Sequence, residues 1–186
     1  MNDVIDINSY TPVEKDKFFF DANIWLYLYC PIGNYNQKIT RKYDSFLKKA
    51  ICSKSSIFVS ALILSEIFNR WTRLEFNILK QLYPSQYSDF KKDFKNTQKY
   101  RETVSTVKNV IKSNIIKISN RIDDKFSSIS LDNLFENIEN YDFNDNYFLI
   151  IANLEGFKIV THDSDFVSQK ISVPILTANK KALRRI

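Results

Sequence analysis

Phe18-Phe19-Phe20-Asp21-Ala22-Asn23-Ile24-Trp25-Leu26-Tyr27-Leu28-Tyr29 is the stretch that decides the fold. Three phenylalanines in a row, without the alternation of a half-wetted strand, predict a short strand buried on both faces. Asp21 interrupts the run. The apolar residues that follow predict a helix, ended by Pro31 and Gly33. The same unit recurs downstream. From Tyr35 to Cys52, the residues Ile39, Tyr43, Phe46, Leu47, Ala50 and Ile51 return at helical spacing. Ile57-Phe58-Val59 gives a second strand, and Ser60 is placed to cap a helix running through Glu66 to Trp71 and beyond.

Further along, residues 73–118 read as a helical insert punctuated by Pro84 and Ser85, with helix indicated by Tyr100, Val104, Val107 and Ile111. Ile115-Ile116-Lys117-Ile118 fits either a strand or a helix end. Ser130 is placed to cap a short helix through Leu131, Leu134, Phe135 and Ile138. Asp145 opens an apolar helix over Tyr147-Phe148-Leu149-Ile150-Ile151-Ala152 that Gly156 closes, before strands at Phe157-Lys158-Ile159-Val160-Thr161 and Pro174-Ile175-Leu176-Thr177. Apolar strands alternating with helices define an α/β fold: a central, mostly parallel sheet covered on both faces.

Composition narrows the function classes. A chain of 186 residues fits a single domain spanning 1–186, and 44% hydrophobic with 26% charged residues is globular rather than disordered or fibrous. Two cysteines, Cys30 and Cys52, are too few for a disulfide framework or a four-thiolate zinc site, and are expected as small core residues of a cytoplasmic protein. No basic start leads into an apolar run, and no stretch reaches the roughly 20 apolar residues that span a bilayer, so no membrane is expected. His162 is the only histidine, expected on an exposed turn, so catalysis must lean on carboxylates. Two glycines argue against a glycine-rich phosphate loop.

Charge is unevenly placed along the chain. Residues 80–117 carry nine basic and three acidic groups, residues 121–165 three and ten, and residues 166–186 five and none. An acidic stretch between basic ones suits a protein that gathers cations at one spot and a polyanion around it, although solvated helices explain the same counts.

Ligands of a covered parallel sheet bind beyond the C-terminal ends of its strands. Asp21 follows one strand there, Glu66 lies about two turns into the helix after another, Asp145 starts a helix, and Asp163 and Asp165 follow a third strand. Helix caps and Asx turns account for such acids one at a time. Together they suggest more. Glu66 and Asp21 are flanked by large apolar residues, where a lone carboxylate is costly without a compensating cation or hydrogen bonds. Hard carboxylate oxygens with few imidazoles or thiolates select Mg²⁺ or Mn²⁺, and an ion so held suits hydrolysis at phosphorus.

The ordered set Phe-Phe-Phe-Asp21-Ala22-Asn23, Ser60 with Ser65-Glu66, Asp145 eleven residues before Gly156, and Thr161-His162-Asp163-Ser164-Asp165-Phe166 resembles the PIN-domain nucleases, most of all the VapC-like toxin ribonucleases of toxin–antitoxin pairs. The resemblance implies a PIN-like three-layer fold and a metal-dependent endoribonuclease. It implies that Asp21, Glu66, Asp145 and Asp163 are catalytic ligands of Mg²⁺ or Mn²⁺, with Asn23, Thr161 and Asp165 supporting them. Asp142 competes for the third acidic position, but the spacing to Gly156 favours Asp145. The expected partners are RNA, a protein antitoxin and a second copy of the chain. The chain departs from a compact member of the family in the basic helical insert, about residues 73–140. There Lys91, Lys92, Lys95, Lys99 and Arg101 alternate with Tyr83, Tyr87, Phe90, Phe94 and Tyr100. Such interleaving suits single-stranded RNA, though the buried side of an amphipathic helix is the commoner use of these aromatics. The basic tail residues Lys180, Lys181, Arg184 and Arg185 are expected to hold phosphate as well. A different class remains open beside the enzyme: a catalytically silent PIN-fold scaffold that binds RNA or a protein.

Overall fold

The computed structural model describes residues 3–136, 138, 142–168 and 172–184. Its strands are β1 (Val4–Asp6), β2 (Lys17–Phe20), β3 (Ser56–Ser60), β4 (Asn120–Ile122), β5 (Lys158–Val160) and β6 (Ile175–Thr177). They form one sheet in the order β1-β6-β5-β2-β3-β4, with every pair parallel. The main helices are α1 (Ala22–Tyr29), α2 (Gln37–Cys52), α3 (Ala61–Leu82) and α4 (Gln98–Val110), then the short α5 (Ile116–Ile118) and α6 (Leu131–Phe135), α7 (Phe143–Glu155) and α8 (Lys180–Leu183).

The triple phenylalanine lies in β2, in the middle of the sheet, and its side chains alternate between two apolar layers. Phe18 lies 5.2 Å from Phe46 of α2, and Phe20 lies 5.2 Å from Trp25 of α1. Phe19 points the other way, 5.5 Å from Phe148 of α7. Helices therefore cover both faces, giving three layers. The connection from β2 leads to β3 on one side, while β5 pairs on the other, so the end of β2 is a switch point where the sheet opens a crevice.

Local chemistry explains most boundaries. Asn36 caps α2 by accepting from the Lys38 and Ile39 amides, and Ser60 caps α3 through the Ile63 amide. Gly156 ends α7 in the left-handed region at φ 68, with its amide bonded to the Ala152 carbonyl. Gly33 serves another purpose: a Cβ there would stand 2.0 Å from the Tyr35 ring, so its bare backbone makes room for that ring.

Several expectations need correction. Helix α7 starts at Phe143 and not at Asp145, because the Asp142 carboxylate caps it, accepting from the Asn144 amide at 2.8 Å. Ser130 precedes α6 but makes no side-chain cap bond. Residues 115–118 are helical, the end of a continuous run from α4 through a π turn at Ile111–Ile115. The strand of that region is β4, which with β1 was not foreseen; each is a three-residue edge held by backbone pairing, too short to leave a period. Cys30 is buried but Cys52 is exposed. In the insert, Phe94 is fully buried, with Phe76, Phe90 and Tyr100 packed around it at 5.3 to 5.8 Å. These aromatics form a small core of their own, while Tyr83 remains exposed.

Candidate active site

Asp21 follows β2 at the switch point, where its amide donates to the Val160 carbonyl of β5. It stands at the N-cap position of α1 yet makes no side-chain cap bond. Its buried carboxylate turns inward instead: Oδ2 accepts from the Thr161 hydroxyl at 2.7 Å and from the Asn23 amide. Both bonds fall on Oδ2, leaving Oδ1 without a hydrogen bond among the described residues. Thr161 is wholly buried, and its hydroxyl also accepts from Asn23 Nδ2 at 3.2 Å and from the Asp163 amide at 3.0 Å. Asn23 completes the knot by accepting from the His162 amide at 3.3 Å.

The other acids arrive from three further elements at the same edge of the sheet. Glu66, in the second turn of α3, is ion-paired to Arg70 at 3.1 Å and has a side chain 23% exposed. Asp145, in the first turn of α7, is half-buried and makes no cap bond, since Asp142 does that work. Asp163 follows β5 and uses Oδ1 to accept from the Asp165 amide at 3.0 Å, the Asx turn that its sequence allows. Asp165 itself is exposed, with its carboxylate near the Ser164 hydroxyl.

Electrostatics joins these groups. Burial pushes the Asp21 carboxyl up to about 7 against the Thr161 hydrogen bond; the charges of Glu66 and Asp163 raise it further, and Arg70 opposes them. Burial likewise pushes Asp145 up to about 8, aided in turn by Asp21, Asp163, Asp142 and Glu66. Glu66 is raised by burial, held back by the Arg70 charge and hydrogen bond, and raised again by Asp142 and Asp163. Like charges in a poorly solvated crevice thus destabilise one another, as they must when several carboxylates share a site without a counter-ion. Among the described residues, no three His, Cys, Asp or Glu side chains are already closed into ligand geometry. The donor set nevertheless suits a hard divalent ion, because it consists of carboxylate oxygens, with an unbonded Oδ1 on Asp21.

Sequence reasoning missed the support beneath this cluster. Tyr43 of α2 is fully buried, with its hydroxyl 3.0 Å from the Thr161 carbonyl, 3.0 Å from the Ala178 amide and 2.8 Å from His162 Nδ1. A phenol has one proton and two lone pairs. It donates to the carbonyl and accepts from the amide, and its third contact ties the imidazole to the same hydroxyl. His162 is consequently no exposed turn residue. It is half-buried between the Tyr27 and Tyr43 rings, each 5.7 Å away, and burial lowers its pKa. Asn179 adds a bond from Nδ2 to the His162 carbonyl at 2.7 Å. Tyr43 has the helical spacing of a core residue, so its polar tip was the only available signal.

The basic residues of the insert make no hydrogen bond or ion pair with these acids among the described residues. Lys91, Lys92 and Lys95 are exposed, Lys99 is ion-paired with Glu75 at 2.9 Å, and Arg101 bonds to Gln98 at 3.1 Å.

The fold and its acids define a class of protein: a three-layer α/β chain that gathers carboxylates at the switch point of a parallel sheet. No protein-family model matches the sequence, and no curated protein matches it. In architecture it is similar to the crystal structure of VapBC2 from Rickettsia felis bound to a DNA fragment from their promoter. The similarity has a TM-score of 0.53 at 13% identity and covers 86% of this chain and 96% of that one. At that identity the likeness is one of fold.

Proposed function

We propose that the chain is a metal-dependent endoribonuclease of the PIN type that hydrolyses RNA phosphodiester bonds, and that it is the toxin of a toxin–antitoxin pair. The observation that carries the reading is the convergence of acids from separate elements at one end of the sheet: burial and then their neighbours' charges raise Asp21, Glu66 and Asp145, and Asp163 is among those neighbours. Those four would hold Mg²⁺ or Mn²⁺, which when bound supplies Lewis acidity for attack at phosphorus. Thr161 and Asn23 fix Asp21 through Oδ2, so that Oδ1 is the oxygen presented to the crevice. Arg70 holds Glu66 in place and offsets part of its charge. Lys91, Lys92, Lys95, Lys99 and Arg101 would hold flanking phosphates. The toxin part draws on the VapBC2 name of the solved neighbour and on the VapC-like motif order of the sequence.

The test is cleavage of RNA with Mn²⁺ and with EDTA, comparing the wild type with Asp21→Asn and Asp145→Asn. Cleavage that needs Mn²⁺ and falls about 100-fold or more in each variant is expected, within the range of losing one positioned acid–base group. Equal cleavage in all three proteins rejects the assignment. A scaffold without catalysis would take up no Mn²⁺ in calorimetry. For the toxin role, expression of active protein alone should arrest growth, and harmless overexpression would remove that role.

A further inference from the structure

Two open cavities flank Tyr35, just beyond the acid cluster. One, of about 330 Å³, lies between α1 and α3 and is lined by Leu26, Tyr35, Arg70 and Arg73 together with the amides of Asn69 and Asn77. The other, of about 460 Å³, is lined by Tyr27, Tyr35 and Arg41. Both volumes fall in the range of about 300–1,000 Å³ usual for small-molecule sites. Tyr35 forms the wall between them, its ring seated over Gly33 and 4.7 Å from the Tyr27 ring. Tyr27 in turn lies 5.7 Å from His162, the neighbour of Asp163, and the charges of Asp21 and Asp163 reach it. On the other side Arg70 touches Glu66. The two cavities are therefore joined to the acids through Arg70 on one side and Tyr27 on the other.

Their charges are unclaimed. Neither Arg41 nor Arg73 has an acidic partner among the described residues. The Arg73 guanidinium rests 4.0 Å above the Phe90 ring, which holds it in place without neutralising it. Phe90 adjoins Lys91 and Lys92, so positive charge continues past the cavity. A partly exposed aromatic ring that lines two cavities, with an unpaired guanidinium beside each, suits unpaired nucleotides: bases stack on rings and phosphates pair with arginine. Asn69 and Asn77 add both donors and acceptors for a base edge.

We propose that these cavities take the single-stranded RNA on one side of the cleaved bond, one nucleotide in each, with Tyr35 as the stacking wall and Arg73 and Arg41 on the phosphates. This deepens the nuclease reading and rests on it for the identity of the ligand. A duplex cannot use the site, because a paired base cannot swing onto the ring.

The test is fluorescence anisotropy with a labelled uridine octanucleotide in EDTA, where nothing is cut. Tyr35→Leu should weaken binding roughly 5-fold or more, the span of one stacked base, whereas Tyr35→Phe keeps the ring face and stays within about 2-fold of wild type. Arg73→Gln and Arg41→Gln should each lower the salt slope by about one. The same sequence as a duplex should bind at least about 10-fold more weakly. With Mn²⁺, Tyr35→Leu should raise KM for the octanucleotide by a larger factor than it changes kcat. Wild-type affinity in Tyr35→Leu and in both arginine variants, or equal binding of duplex, overturns the track and leaves the nuclease reading intact. Tyr35-dependent binding by a wild type that never cuts upholds the track and overturns the nuclease reading instead.

Discussion

Asp145 carries a contradiction that can be measured. Burial and four neighbouring acids raise its pKa to about 8, so near neutral pH the fold holds it largely protonated, at a cost relative to the unfolded chain, where it is charged. Asp145→Asn keeps the shape and removes that titration. The ion-free variant should therefore melt at a higher temperature than wild type while losing RNA cleavage, the trade expected where function maintains a strained group; a variant that melts lower would show that Asp145 is not strained. Asp21 and Asp163 were legible because each follows a strand, Asp145 because it stands near the start of an apolar helix, and Glu66 through its apolar neighbours. Tyr43 and Asn179 were not, since their partners are backbone atoms of residues 161, 162 and 178, which no local pattern announces.

At the scale of elements, α7 connects the site to the core. It buries Phe148, Leu149 and Ile151 while its first turn carries Asp145. Asp142→Ala removes the cap from that turn and should cost about 0.5–2 kcal/mol in denaturant unfolding. It should also lift one raising influence from Asp145 and Glu66, so that the variant becomes less stable although its acids are less strained. Unchanged unfolding would mean the cap bond contributes nothing. Helix α7 was readable from its apolar run, but its start was misplaced by two residues because capping competes with periodicity as a boundary signal. The insert gives a second prediction: replacing Lys91, Lys92 and Lys95 together by Gln should reduce the salt dependence of RNA binding by about three counter-ions. An unaltered slope would place the phosphate contacts elsewhere. Packing of Phe94 inside its own small core means these changes should leave stability nearly untouched.

For the whole molecule, the raised acids set a pH dependence. In the unfolded chain Asp titrates near 3.8, whereas Asp21 and Asp145 in the fold titrate near 7 and 8. The folded state binds more protons between those limits, so stability is greatest at the acid side and is lost as pH rises through 7 to 8. His162 has the opposite sign, its pKa being lowered, and its contribution is constant above its ordinary value of 6.5. Metal-free protein should thus melt lower at pH 8.5 than at pH 6.5, by roughly 2–4 °C for each kcal/mol at this chain length. Saturating Mn²⁺ should shrink the difference, because the ion binds the deprotonated acids; a difference that Mn²⁺ leaves unchanged would argue against a shared ion. The overall α/β alternation was legible from buried strands, while the all-parallel order and both edge strands depended on long-range pairing.

Gly33 and Gly156 are the only glycines in the chain, and they tolerate change differently. In a saturation library, position 33 should accept a side chain only where the Tyr35 ring swings aside, because a methyl group already takes the ring's place. Position 156 has nothing within 4 Å and a left-handed backbone, so asparagine should survive selection there while branched residues drop out. Substitution patterns at these two sites would therefore separate a demand for space from a demand for chirality.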